Sequence, residues 1–201
     1  TNRMHEHLVK AELAASGAAA AHVVLEPEGR NTAPAIALAA AFCRDKLAST
    51  ESEVLFVTPC DHVIKPVDVF AAGVLDAVNL ASDGSIVTFG VKPTAPETGY
   101  GYIQAGEAAG GAFAVQSFRE KPDRQTAEEY LAAGNYYWNS GMFAFTMGRF
   151  LQELAAQQPE IAALTAAPVE TVLAEFGQMP DISIDYGIME KADRVRVIPL
   201  A

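Results

Sequence analysis

Residues 54–64 read Val54-Leu55-Phe56-Val57-Thr58-Pro59-Cys60-Asp61-His62-Val63-Ile64. A four-residue apolar run rich in Val and Phe stops abruptly at a proline. That pattern predicts a short buried strand rather than a helix. In a parallel sheet, the carboxyl end of such a strand opens into the crevice where α/β folds bind ligands. Asp61 has no neighbouring cation in sequence, so it belongs at that mouth and not in the core. Two readings are open for it. A hard carboxylate suits Mg²⁺ bridging phosphate oxygens, and an Asp at this place can equally cap the next helix. His62 reads as a packing or hydrogen-bonding residue rather than a base.

Toward the N-terminus, residues 5–16 predict a helix ended by Gly17, and 22–25 (HVVL) a strand. The stretch from Glu26 is rich in turn residues until Asn31 and Thr32, both good helix caps. Pro34 is tolerated in a first helical turn. Ile36, Ala39, Ala40, Cys43 and Leu47 then recur at helical spacing on one face. Toward the C-terminus, a helix is expected over about 67–81, with Val67, Phe70, Ala71, Val74 and Val78 inward, and a strand over 85–91. The alternation of strands and helices predicts an α/β fold: a mostly parallel central sheet with helices on both faces, strand 54–57 at its centre.

Residues 92–122 interrupt the alternation with many Gly and Pro, so hairpins or irregular loops are expected there. A helix over 124–133 should stop at Gly134. NYYWNSG reads as a loop, MFAFTM as a strand, 150–176 as an uneven helical region, SIDYGIMEKA as a short helix capped by Ser183, and VRVIPLA as a strand. No linker or repeat is visible, so residues 1–201 read as one domain.

Fourteen basic and 25 acidic residues leave a net charge of −11. A general nucleic-acid binder needs a basic face, which this balance argues against. A nucleotide site needs only a few local cations and backbone N–H groups and stays open. No apolar stretch approaches the roughly 20 residues that span a bilayer. Cys43 and Cys60 lack metal-ligand spacing and read as reduced thiols of a cytoplasmic protein.

Several short motifs carry chemistry. EPEGRNTAP (26–34) precedes a helix N-terminus, which favours anions or ring carbonyls, with Arg30 and Asn31 as side-chain donors. PETGYGYI (96–103) sets two glycines where a backbone can approach a ligand closely. In FREKPD (118–123), Lys121 can hold a phosphate as a point charge. In NYYWNSGMF (135–143), Asn139 offers both a donor and an acceptor to a sugar hydroxyl. Ordinary turns, caps, surface ion pairs and aromatic core edges explain each of these segments singly.

Taken in order with TPCDHVI and SIDYGIMEKADRVRVIPL, these spellings resemble the mannose-1-phosphate guanylyltransferase family, including relatives fused to a phosphomannose isomerase. The resemblance covers nearly the whole chain. It implies a Rossmann-like nucleotide-diphospho-sugar transferase fold and the transfer of GMP from GTP to α-D-mannose 1-phosphate, giving GDP-mannose and pyrophosphate. By position, Asp61 matches a Mg²⁺ ligand, and Glu26, Arg30, Asn31 and Thr32 match the segment lining the guanine. Gly99, Tyr100 and Gly101 match the loop against the sugar. Glu120 and Lys121 match the pair on sugar hydroxyl and sugar phosphate, and Asn139 a sugar-binding Asn. Asp61 and Lys121 are the expected catalytic residues. Asp185 lies in a family motif whose role the residues do not assign, and Cys60 stands where Ala or Ser is usual.

The resemblance further implies Mg²⁺ as cofactor and no nucleic-acid or membrane partner; a homodimer is compatible with it. It places a Gly-rich triphosphate loop ahead of Thr1 and a second metal-binding Asp beyond Ala201. The chain is therefore expected to be an interior part of the domain, inactive by itself. Another sugar-1-phosphate nucleotidyltransferase, or a non-catalytic sugar-nucleotide-binding relative, is the alternative.

Overall fold

The computed structural model describes residues 1–200, with Ala109 by its backbone alone. Packing gathers the chain into two compact units: Thr1–Ser49 with Leu154–Ile184, and Thr50–Glu153 with Asp185–Ala201.

In the first unit, helix α1 (Glu6–Ala15) is wholly without buried residues, and α2 (Thr32–Lys46) carries the packing. Alanine lets neighbouring helices approach α2 closely. Its buried residues are Ala33, Pro34, Ile36, Ala37, Leu38, Ala40 and Ala41, while Ala39 and Leu47, expected inward, are exposed. Two short helices further along the chain, Pro159–Thr165 and Val169–Glu175, pack against α2. Arg44 fixes them by donating to the carbonyls of Thr165 (2.8 Å) and Ala167 (2.7 Å), and Asp45 accepts from the Val169 N–H at 2.7 Å. These bonds satisfy backbone groups that helix ends leave open. The expected strand 22–25 does not form. The described residues offer it no ladder partner beyond one isolated bridge, Asn2 to Glu26, and apolar residues alone do not make a strand.

The second unit is built on six strands. They are β1 (Val54–Val57), β2 (Ile86–Val91), β3 (Tyr102–Ala109), β4 (Ala112–Arg119), β5 (Tyr136–Thr146) and β6 (Val195–Leu200). They lie in the order β1-β5-β2-β6-β4-β3, and β3 also pairs with β5. Among the six strands only β2 and β6 run parallel; every other described pairing between them is antiparallel. The sheet is therefore mixed, and the expectation of a mostly parallel one is corrected. So is the central place of 54–57: among the described residues β1 pairs with β5 alone, at one end of the order. All four β1 residues are only half-buried, as suits a strand with one neighbour, and apolar residues alone state neither the number nor the direction of neighbours.

Helix α3 (Val67–Ser82) covers one face through Ala77 and Ala81, with Phe70 and Val74 packed half-buried beside them. Val67 and Ala71, expected inward, are exposed. Phe56, Phe70 and Phe89 meet at ring separations of 5.9–6.3 Å beneath α3. On the opposite face Phe145 stacks on Phe150 at 5.1 Å, at the start of the helix Met147–Gln157. Helices thus cover both faces, as expected.

The glycine-rich middle is the hairpin β3–β4, turned by Gly110 and Gly111 at φ 62° and 82°. A two-residue hairpin turn with positive φ at both positions matches the twist of its strands. Helix Arg124–Ala133 begins under Asp123, which accepts from the Thr126 N–H at 2.9 Å, and ends at Gly134 in the left-handed region. NYYWNSG is not a loop: all of it but Asn135 forms the first half of β5. The short helix expected after Ser183 is a π-helical turn, Asp185–Met189.

Candidate functional site

The carboxyl end of β2 and the first half of β5 border a cleft of about 920 Å³ that lies wholly within the second unit. That volume suits a small polar ligand. Asp61, Gly99, Tyr100, Gly101, Glu120, Lys121 and Asn139 all line it, together with His62, Lys92, Trp138 and Asp185. Five separate sequence motifs thus converge on one hollow.

Asp61 stands at the mouth with its side chain 81% exposed, 3.7 Å from His62 Nε2. It does not cap α3, whose N-cap is Pro66. Tyr100 meets Trp138 edge-on at 5.2 Å, forming an aromatic wall. Gly101 leaves room for a carboxylate: a Cβ there would lie 2.4 Å from Glu120 Oε2 and 3.3 Å from Asn139 Cβ. No larger residue leaves that carboxylate in place.

Glu120 is 9% exposed, its Oε1 3.5 Å from Lys121 Nζ and its Oε2 without a hydrogen-bond partner. Its backbone N–H donates to Glu190 Oε1 at 3.0 Å. Burial pushes the Glu120 carboxyl above its usual range, the charge of Asp185 pushes it further, and Lys121 opposes both. Burial likewise raises Asp185. Lys121 takes a left-handed backbone at φ 45°. For a non-glycine residue this is strained, and such strain persists where surrounding structure holds a side chain in a set place.

Asn139 sits at an irregularity in β5. Thr88 pairs with Phe143 and Gly90 with Asn139, so two steps along β2 oppose four along β5. Gly141, at φ 73°, absorbs the excess. Bulges of this kind re-aim side chains beside functional sites. Here Asn139 Nδ2 donates to Asp185 Oδ1 at 2.8 Å, while its Oδ1 accepts from Thr88 Oγ1 (3.0 Å) and from the Gly141 N–H (3.2 Å). The expectation that Asn139 offers a ligand both donor and acceptor is corrected: its carbonyl is already engaged inside the protein.

Asp185 therefore gains the place that the residues alone withheld, beside Glu120 and under Asn139. Thr88 and Glu190 were not foreseen at all. The available signal was a hydroxyl in the middle of the apolar run IVTFGV (86–91), since a buried polar group needs a partner. Lys92 also borders the cleft. Its Nζ donates to the Gly134 carbonyl and sits 5.0 Å over the Tyr137 ring.

The four residues expected around the base lie in the first unit. Asn31, at φ 65°, accepts from the Thr32 N–H at 3.0 Å and caps α2. The Thr32 hydroxyl accepts from the Ile184 N–H at 2.8 Å. Arg30 faces Glu28 at 3.3 Å and keeps its Nε buried without a hydrogen-bond partner. Glu26 pairs with the Thr1 amino group at 3.6 Å.

A family model for nucleotidyl transferases matches residues 1–182. The chain belongs to the nucleotidyl transferase family. It is 46% identical over 209 residues to the xanthan biosynthesis protein XanB of Xanthomonas campestris pv. campestris (strain B100), covering 99% of this chain and 44% of that protein. It is 41% identical over 216 residues to the mannose-1-phosphate guanylyltransferase of Salmonella montevideo, covering 99% of this chain and 45% of that protein. The chain spans less than half the length of these curated relatives. Among solved structures, a Thermus thermophilus protein described as a mannose-1-phosphate geranyltransferase superposes with a TM-score of 0.84 at 35% identity, over 99% of this chain and 57% of that one. The cleft thus combines an exposed carboxylate at its mouth, a lysine on its wall and fixed polar groups inside.

The two raised carboxyls have a measurable consequence. A carboxyl whose pKa is raised by burial holds its proton to a higher pH in the folded state than in the unfolded chain. Stability then falls as pH rises from the ordinary Asp value through the raised one. Asp185→Asn keeps an acceptor for Asn139 and removes the charge that repels Glu120 and Glu190. Thermal unfolding should show little change at pH 4 and a gain at pH 8 on the order of 1 kcal/mol, roughly 2–4 °C for a domain of this size. A gain independent of pH would show that the charge is not the cause.

Proposed function

We propose that this chain carries the sugar-phosphate half of a mannose-1-phosphate guanylyltransferase, which transfers GMP from GTP to α-D-mannose 1-phosphate. The observation that carries the reading is the convergence of Asp61, Gly99, Tyr100, Gly101, Glu120, Lys121 and Asn139 on one cleft, from motifs up to 78 positions apart in sequence. The names of the relatives agree with it.

A phosphate oxygen of mannose 1-phosphate attacks the α-phosphorus of GTP. The new P–O bond gives GDP-mannose as the bond to the departing pyrophosphate breaks. No covalent enzyme intermediate is required, so the residues act by placement and charge. Lys121 holds the attacking phosphate, Glu120 accepts from sugar hydroxyls, and Asn139 donates to a sugar oxygen. The loop 26–34, with Glu26, Arg30, Asn31 and Thr32, selects the guanine.

Among the described residues no group of three or more His, Cys, Asp or Glu gathers to hold a metal. A single exposed carboxylate fits Mg²⁺, which commonly takes one or two protein carboxylates and completes its shell with phosphate oxygens and water. Asp61 is the residue that would hold it. Bound there, Mg²⁺ would neutralise charge on the phosphates. Two free cysteines are in keeping with a reducing, cytoplasmic setting.

The deciding experiment supplies the whole protein with mannose 1-phosphate and each nucleoside triphosphate in turn, and follows pyrophosphate release. GTP should be used far better than UTP or dTTP. Equal use of all three, or of none with ligand binding intact, would overturn the reading.

A further inference from the structure

The polar centre of the cleft wall is arranged around a side chain that never reaches the cleft. Thr88 is 0% exposed in β2, a strand whose neighbours Ile86, Val87 and Phe89 are all buried and apolar. A hydroxyl sealed at that depth needs partners. It has two acceptors, Asn139 Oδ1 and the Met142 carbonyl, each at 3.0 Å. Its single hydrogen is shared between them.

The orientation of the Asn139 amide follows from the donors around it. The backbone N–H of Gly141 can only donate, so the atom 3.2 Å from it must be oxygen. The amide nitrogen is then left facing Asp185 at 2.8 Å. The reverse orientation would set an amide N–H against the Gly141 N–H and a carbonyl against a carboxylate. A carbonyl oxygen has two acceptor positions and an amide nitrogen two hydrogens. Gly141 fills one acceptor position, the shared Thr88 hydrogen faces the other, and Asp185 takes one hydrogen. Among the described hydrogen bonds, one Asn139 N–H is left for the cleft.

We infer that Thr88 is a positioning residue for the sugar-phosphate site: with Gly141 and Asp185 it makes Asn139 a donor only, so the ligand must present an oxygen acceptor there. This rests on the reading of the cleft as a sugar-phosphate site and deepens it. Without the hydroxyl, Asn139 keeps one lone pair free and its amide can turn, so discrimination for an acceptor weakens. Losing one neutral hydrogen bond corresponds to about a five-fold change.

The test compares Thr88→Val, which keeps the shape and removes the hydroxyl, with Thr88→Ser, which keeps the hydroxyl. Both are made in the whole protein. Steady-state kinetics vary mannose 1-phosphate and GTP separately, and ¹⁵N-asparagine labelling follows the Asn139 carboxamide, assigned by its loss in Asn139→Ala. Thr88→Val should raise the KM for mannose 1-phosphate about five-fold, with kcat and the KM for GTP within two-fold. Its two carboxamide proton signals should draw together, and Thr88→Ser should match wild type in every respect. Equal losses toward both substrates, a Thr88→Ser defect as large as that of Thr88→Val, or unchanged carboxamide signals in Thr88→Val would overturn the assignment. A wild-type protein that does not turn over mannose 1-phosphate would sink the functional reading instead, and the carboxamide signals would still decide whether Thr88 holds Asn139.

Discussion

Asp61→Asn in the whole protein is expected to lower turnover at least ~100-fold while leaving the fold intact. The substitution conserves size and removes one charge. Its effect on folding should be small, because the side chain is 81% exposed and caps no helix. A surface change away from any packing or capping role is usually worth within about 0.5 kcal/mol. Its effect on catalysis should be large, because a neutral amide is a poor ligand for a hard dication and metal-site losses typically reach ~10–100-fold or more. Titrating activity against Mg²⁺ separates the two readings of the residue. A variant needing much more Mg²⁺ for the same rate supports the ligand; near-normal rate and metal dependence would leave Asp61 a bystander at the mouth.

Lys121→Ala should weaken use of mannose 1-phosphate at least ~10-fold in kcat/KM, with GTP affected far less. Lys121 is 55% exposed, and its Nζ lies 3.5 Å from Glu120 within the cleft. A cation meeting a phosphate there makes a charged hydrogen bond of roughly 1.5–3 kcal/mol, and the lower end of that range already gives the ten-fold loss. Lys92 is the internal control. It also borders the cleft and also precedes a proline, yet its ammonium is tied to the Gly134 carbonyl above the Tyr137 ring. Lys92→Ala should change either substrate by less than ~3-fold. Kinetics on both variants, each substrate varied in turn, decide the matter. Equal losses, or a Lys121 defect confined to GTP, would remove the sugar-phosphate assignment.

Much of the local structure is written in the residues because its causes are local. Asp123 and Gly134 bound their helix at both ends: one side chain accepts the first free N–H groups, and the other residue turns left-handed without a Cβ to resist. Gly110 and Gly111 make the hairpin turn for the same steric reason. The site motifs were legible as spellings: every residue expected around the sugar phosphate borders the cleft.

The sequence by itself determined most of the elements, the burial of β2 and the apolar half of β5, and the family. Only the tertiary structure decided which strand lies beside which. Val54–Val57 is apolar whether it has one neighbour or two, and β5 runs antiparallel between β1 and β2 although no residue in it states a direction. The same holds for Asn139. Its side chain offers a donor and an acceptor in any sequence. Thr88, 51 positions away, and Asp185, 46 positions away, use up the acceptor and one hydrogen only after the sheet has brought them together. Hydrogen-bond capacity belongs to the residue; which part of it remains for a ligand depends on partners that are distant in the chain and adjacent only in the fold.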